Sequence, residues 1–223
     1  MQLIFSGGGK GEQTKDIDNL FLDLVGDKKV LLIPHAREKN EFQSSLDWVK
    51  ENIFATKNYP QVYLLENLDN VTLKDLRDVR GIFIGGGNTF KLLNEIKKSK
   101  FDKVLKQFAD NGGIIYGGSA GAIILTKNIL TASPLDKNEL GLKDLEGLNF
   151  FRNKGVFCHY TNKFDKSIKE ISKDLNIDIF CLPEGSGLYI EDDKIKVIGS
   201  KEAFLLNEKS KNILSINQFL QKV

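Results

Sequence analysis

Ser119 lies in Gly117-Gly118-Ser119-Ala120-Gly121, a Gly-x-Ser-x-Gly pentapeptide between two apolar runs, Ile114-Ile115-Tyr116 and Ala122-Ile123-Ile124-Leu125. A strand that turns abruptly into a helix needs small residues around the turn, and the serine takes a strained backbone there. Its hydroxyl would then face a helix N-terminus, where backbone N–H groups favour a developing negative charge. Serine is a weak nucleophile until a base takes its proton. The chain has two histidines. His159 ends the strand-like run Gly155-Val156-Phe157-Cys158, so it would share a sheet edge with Ser119, which also leaves a strand end. His35 follows Leu31-Leu32-Ile33-Pro34 and reads as part of a proline-anchored turn.

A histidine base needs a third group that fixes its tautomer and stabilises the imidazolium. Glu184, in Leu182-Pro183-Glu184-Gly185, is the favoured candidate because a strand-end position is held better than a loop position. Asp136, in the irregular stretch after the serine, is the second. Acyl transfer also needs donors for an oxyanion. The N–H of Ala120 would be one, and the glycine run Gly85-Gly86-Gly87-Asn88-Thr89 offers another. That run lacks the Gly-Lys-Ser/Thr ending of a P-loop and the Gly-x-Gly-x-x-Gly spacing of a dinucleotide site. Gly7-Gly8-Gly9-Lys10-Gly11 lacks both as well and reads as a tight turn. No His, Cys and carboxylate set has metal-ligand spacing, so the site is expected to hold no metal and no cofactor.

The elements that position these residues alternate. Strand-like runs cover 3–6, 30–33, 62–65, 81–84, 114–116, 156–159 and 179–182. Helical periodicity covers 14–25, 42–55, 73–79, 89–98, 101–111, 119–126 and 163–175. This alternation predicts an α/β fold, a parallel sheet flanked by helices on both faces, in one domain spanning 1–223. Residues 187–190 and 194–198 flank Glu191-Asp192-Asp193 as a C-terminal β-hairpin, and 203–206 adds a further antiparallel strand. Residues 127–151 have no clear period and follow the serine segment directly, which predicts a lid or binding loop near the site.

The 223 residues are 41% hydrophobic and 28% charged, with a net charge of +2. That balance speaks against a nucleic-acid or membrane-surface role, and no apolar run is long enough to cross a bilayer. No leader is evident at Met1-Gln2-Leu3-Ile4-Phe5. Cys158 and Cys181 lie in apolar runs and read as buried thiols of a reducing cytoplasm.

Four segments in this order and spacing resemble peptidase family S51, which holds dipeptidase E and the cyanophycinases. They are Ile84-Gly85-Gly86-Gly87-Asn88-Thr89-Phe90, Gly118-Ser119-Ala120-Gly121-Ala122, His159-Tyr160-Thr161-Asn162 and Leu182-Pro183-Glu184-Gly185. The resemblance implies a fold like the class I glutamine amidotransferases (flavodoxin-like) and a serine peptidase that cleaves short peptides, including dipeptides with N-terminal Asp. It implies Ser119 as nucleophile, His159 as base, and the N–H groups of Gly87 and Ala120 as oxyanion hole. Gly86 and Asn88 would contact substrate, and the partners would be a small peptide and, at most, a second copy of the chain in a homodimer.

Two departures from the family pattern matter. Dipeptidase E takes its third triad member from an aspartate just after the serine helix, where this chain reads Ile129-Leu130-Thr131-Ala132-Ser133-Pro134. Other members use a glutamate, and Glu184 matches it. The family's arginine for acidic substrates has Lys163 and Lys166 in its region, which carry charge but not the planar fork that suits a carboxylate. A differently specific member of the same fold, an amidase or a ligand-binding protein, is the alternative. Amidotransfer proper would need a cysteine where Ser119 stands.

Overall fold

The computed structural model describes residues 1–53, 61–192 and 194–221. Its strands are β1 (Gln2–Ser6), β2 (Lys29–Ile33), β3 (Val62–Leu64), β4 (Val79–Ile84), β5 (Ile114–Gly118), β6 (Gly155–Cys158), β7 (Ile179–Leu182), β8 (Ser186–Glu191), β9 (Lys194–Gly199), β10 (Ala203–Leu206), β11 (Lys211–Leu214) and β12 (Phe219–Gln221). The helices are α1 (Lys15–Val25), α2 (Phe42–Asn52), α3 (Thr89–Lys98), α4 (Phe101–Asp110), α5 (Ala120–Ile124) and α6 (Asp165–Leu175).

The larger sheet has the order β12-β9-β8-β1-β5-β4-β2-β3. Its β1-β5-β4-β2-β3 part is parallel, as the alternating pattern predicts. The expected hairpin forms from β8 and β9 and pairs antiparallel with β1. Hairpin residue Asp193 and the end of the expected helix 42–55 lie outside the described residues.

The structure differs from the single predicted sheet at β6 and β7. These two pair with each other, and β10 and β11 extend them into a separate four-stranded sheet. The physical reason is that β8 fills the free edge of β1, register Gln2↔Glu191 to Ser6↔Gly187. A second difference is at 73–79. Only Leu73–Leu76 winds, as a 3₁₀ turn whose first residues are held by Asp75 accepting from the Thr72 backbone and hydroxyl. Val79 already pairs with Lys29 of β2.

The longer helices bury one face each, while α5 is buried at every position. In α4 the buried positions are Phe101, Leu105, Phe108 and Ala109, a spacing of four, three and one that lies on one face. Between the larger sheet and α1, the rings of Phe21, Phe83 and Tyr116 meet at centroid distances of 4.6 to 6.4 Å. This aromatic layer lies below the C-terminal ends of β4 and β5, so the loops above it rest on a rigid floor. Segment 127–151 is fastened rather than free: Leu148 N donates to Ile124 O, Ile129 N to Leu145 O, and Lys97 pairs with Asp144.

Candidate active site

Four parallel strands end at one edge, and each continues into a loop of small or turn-forming residues. Gly7–Gly9 follow β1, Pro34–Arg37 follow β2, Gly85–Gly87 follow β4, and Ser119 follows β5. Ligands in open α/β sheets bind at this edge. Ser119 is at φ 50°, ψ −110°, a strained conformation for a non-glycine residue. It is held there by its N–H donating to Ser6 O, while its own carbonyl accepts from Ala122 and Ile123. The turn closes because Gly121 has no side chain: a Cβ there would come within 2.2 Å of Ile84 O.

The second sheet delivers the other two groups. His159 and Glu184 follow β6 and β7. Ser119 Oγ lies 2.9 Å from His159 Nε2, and His159 Nδ1 lies 3.0 Å from Glu184 Oε1. Like Ser119, His159 has a positive φ, 52°. The loop after β1 joins the two sheets. His159 N donates to Gly7 O, and Gly185 N donates to Gly8 O. The imidazole packs directly on Gly8 (φ +103°), where a Cβ would fall 2.2 Å from His159 Cε1.

The N–H groups of Gly87 and Ala120 have no acceptor among the described residues. The loop that carries Gly87 is fixed by Asn88 N donating to Ala36 O and Gly85 N to Ile33 O. Two cavities flank Ser119 and His159. One of about 470 Å³ includes Gly86, Gly87, Phe83, Tyr116, Trp48 and Asp18 in its lining. The other, about 200 Å³, is lined on the far side by Thr131, Leu135, Asp136 and Cys158. Burial pushes the Cys158 thiol well up, so it is no rival nucleophile.

Other expected site residues either bond to helix α3 or lie outside both cavities. Asn88 caps α3, with its Oδ1 accepting from Lys91 N and its Nδ2 donating to Lys137 O. Its side chain is therefore occupied by structure. Asp136, the second candidate for the orienting group, instead accepts from the N–H and hydroxyl of Thr89 at the start of α3. Lys163 and Lys166 are exposed and line neither cavity, and Lys163 lies over the ring of Phe164. The arginine that does line the larger cavity is Arg37. His35 is buried against Phe42, in the lining of a separate surface cleft.

Sequence reading missed Gly8, Asp18, Arg37 and Trp48. The glycine run after β1 was a visible signal for Gly8. The other three arrive from α1, α2 and the β2 loop, and no local pattern marks them. Among the described residues no group of three or more His, Cys, Asp or Glu could hold a metal ion, and no helix is long and apolar enough to cross a membrane.

Comparison with known proteins agrees with this architecture. Peptidase E of Nostoc sp. is 27% identical over 190 residues, covering 80% of this chain and 75% of that protein. Peptidase E of Shewanella denitrificans is 25% identical over 193 residues, covering 83% and 81%. Among solved structures, a peptidase from an acI-B1 actinobacterium has the same fold, with TM-score 0.76, 19% identity and coverage of 99% and 96%. The profile of Peptidase family S51 matches residues 2–198, and with the serine turn and its neighbours in place, the chain belongs to that family of serine peptidases.

Proposed function

We propose that this peptidase hydrolyses short peptides, dipeptides foremost, by acyl transfer through Ser119. The observation that carries the reading is the continuous Ser119–His159–Glu184 contact, 2.9 Å and 3.0 Å, beside two unoccupied backbone donors. A proton on His159 Nδ1, donated to Glu184, leaves Nε2 free to accept the serine proton. Ser119 Oγ attacks the scissile carbonyl carbon, and the N–H groups of Gly87 and Ala120 stabilise the oxyanion. His159 then protonates the departing amine, and an acyl-serine ester remains. Water, deprotonated by His159, cleaves that ester and restores the serine.

Ser119 stands between cavities of about 470 and 200 Å³, which suits one residue on each side of the scissile bond. Gly86 walls the larger one next to the serine, where a Cβ would come 3.3 Å from Ser119 Cβ. The two free, buried cysteines fit a reducing cytoplasm. The test is hydrolysis of dipeptides with N-terminal Asp, Glu, Asn, Ala and Leu, with Ser119→Ala in parallel and fluorophosphonate labelling of the serine. Turnover and labelling that both vanish in Ser119→Ala support the reading. A panel left intact by wild-type protein whose Ser119 also resists labelling refutes it.

A further inference from the structure

The proposed chemistry makes no use of Asp18, yet this carboxyl lies in the lining of the larger cavity with Ser119. It is 3% exposed. Its Oδ2 accepts from Thr14 Oγ1 at 2.6 Å and its Oδ1 from Tyr116 OH at 2.7 Å. Neither partner is a cation, and among the described residues Asp18 forms no ion pair. Burial raises its pKa to about 6 against the pull of both hydroxyls, the mark of a carboxylate short of positive charge.

The lining that Asp18 and Ser119 share includes the apolar Leu32, Val49 and Phe83 and the rings of Tyr116 and Trp48, together with the neutral hydroxyls of Ser6, Ser44 and Ser45. The cationic side chain in this lining is Arg37, half-exposed and paired with Glu41 at 3.4 Å. Asp18 also lines a second, small cavity with Glu12, Lys15 and Glu51, and Lys15 pairs with Glu12 at 3.0 Å. Among the described residues, therefore, no cation pairs with Asp18. A buried charge without a partner is costly, and a bound cation would remove that cost. A carboxylate that already accepts two hydrogen bonds still has lone pairs to offer.

We propose that Asp18 is a specificity-determining residue whose carboxylate receives a cationic group, an ammonium or guanidinium, from the residue that acylates Ser119. This rests on the peptidase reading above and deepens it. A peptide whose carbonyl is held at Ser119 has its acyl residue beside the larger cavity. Apolar walls hold methylenes, and the acid holds the charge. The cation is either the α-amino group or the end of a basic side chain, and both use the same chemistry. The preference is thus opposite in sign to an acidic one, in keeping with Lys163 and Lys166 lying outside both cavities.

Asp18→Asn is the informative variant, because the amide keeps the size of the acid, its oxygen accepting from one hydroxyl and its NH2 donating to the oxygen of the other, with the fold checked by circular dichroism. Substrates with acyl Lys, Arg or Met are compared with free and with acetylated α-amino groups. If the side chain is the cation, wild type favours Lys over Met about tenfold or more in kcat/KM, and Asp18→Asn erases the ratio. If the α-amine is the cation, Asp18→Asn instead erases a comparable preference for free over acetylated substrates. Unchanged ratios on both axes overturn the proposal. A second readout needs no turnover: Trp48 is the chain's single tryptophan and lines this cavity. Its fluorescence, titrated with n-butylammonium and with n-butanol, should show ammonium binding that weakens about tenfold or more in Asp18→Asn, with butanol unaffected. Ammonium binding that depends on Asp18 without peptide turnover keeps the cation site and rejects the peptidase reading. Turnover with ammonium binding indifferent to Asp18 does the reverse.

Discussion

Replacing Gly8 with alanine should disable the site while leaving both sheets formed. An alanine Cβ built on that backbone falls 2.2 Å from His159 Cε1 and 2.7 Å from its Nδ1. Ordinary carbon contacts begin near 3.5 Å, so the ring must retreat by about an ångström. The imidazole spans two hydrogen bonds, to Ser119 and to Glu184, and retreat from Gly8 cannot keep both at 2.9 and 3.0 Å. Misplacement of a catalytic group by about 1 Å costs on the order of 10²-fold in rate. The backbone adds strain, since Gly8 has φ +103°, worth about 1–2 kcal/mol against alanine. The expected result is kcat reduced about 100-fold or more on the best dipeptide, a matching loss in fluorophosphonate labelling rate, and a folded protein by far-UV circular dichroism. A Gly11→Ala control, with φ +54° and open space around its Cβ, separates backbone strain from the clash. Gly8→Ala with kcat within about twofold of wild type would refute the reasoning, for it would mean that His159 does not depend on this contact.

Three further outcomes can be measured on the same assays. Glu184→Gln should lower kcat by about 10²- to 10⁴-fold, the upper end being the scale of the Asp-to-Asn change in a serine-protease triad and the range allowing for the half-exposed position of Glu184. Asp136→Ala should cost about 1–3 kcal/mol in urea unfolding, through the two lost bonds to Thr89, and affect kcat less than Glu184→Gln does. A larger rate loss in the Asp136 variant would reverse the assignment of the orienting group. Asp18 titrates near 6 in the folded protein, above the ordinary aspartate value of 3.8, so the folded state binds its proton more tightly than the unfolded one. Its ionisation therefore costs nothing below about pH 4, takes stability away between about 4 and 6, and levels off above at about 3 kcal/mol. Asp18→Asn should gain stability over wild type by up to that amount at pH 7 and little at pH 4, read from urea melts at both.

The parallel core and the serine turn were legible because both are local. Three-residue apolar runs bounded by glycine, Ile82-Phe83-Ile84 and Ile114-Ile115-Tyr116, mark β4 and β5, and Gly117 to Gly121 mark a turn that only small residues can make. The pairing of β6 and β7 into a second sheet was not legible, because it depends on which strand fills the edge of β1. That choice rests on the long-range match of β8 to β1, 180 or more residues apart in the chain. His159 and Glu184 could be placed at strand ends without knowing which sheet held them. Asn88, expected at the substrate, and Asp136, the second candidate for the orienting group, both bond the start of α3, which the sequence does not announce for a related reason. A helix N-cap and a functional polar residue use the same side chains at a loop-to-helix junction, and only the partners, Lys91 N and Thr89, tell them apart. Asp18 gave no signal at all. In sequence it is one acid among Asp16, Asp18 and Asp23 in an amphipathic helix, and only packing against Tyr116 and Thr14 turns it inward.

The two sheets divide the work of the site. The larger one fixes Ser119, the proposed nucleophile, and the glycine loops through the central strands β1, β4 and β5. The smaller one carries the histidine and the glutamate on strands that never pair with that core. Alignment of Ser119 with His159 is therefore made where the sheets join, at backbone bonds from His159 to Gly7 and from Gly185 to Gly8 and at the contact of the imidazole with Gly8. The consequence is that a disturbance of the β1 loop acts on His159 and Glu184 together, while a disturbance of the β4 loop acts on Gly87, one of the two proposed oxyanion donors, and on Gly86 beside Ser119. The loop that a sequence reading treats as a plain turn is thus the element that couples the sheet of Ser119 to the strands that carry His159 and Glu184: Gly7 lets the backbone of Leu182 and Pro183 come close, and Gly8 leaves room for the imidazole.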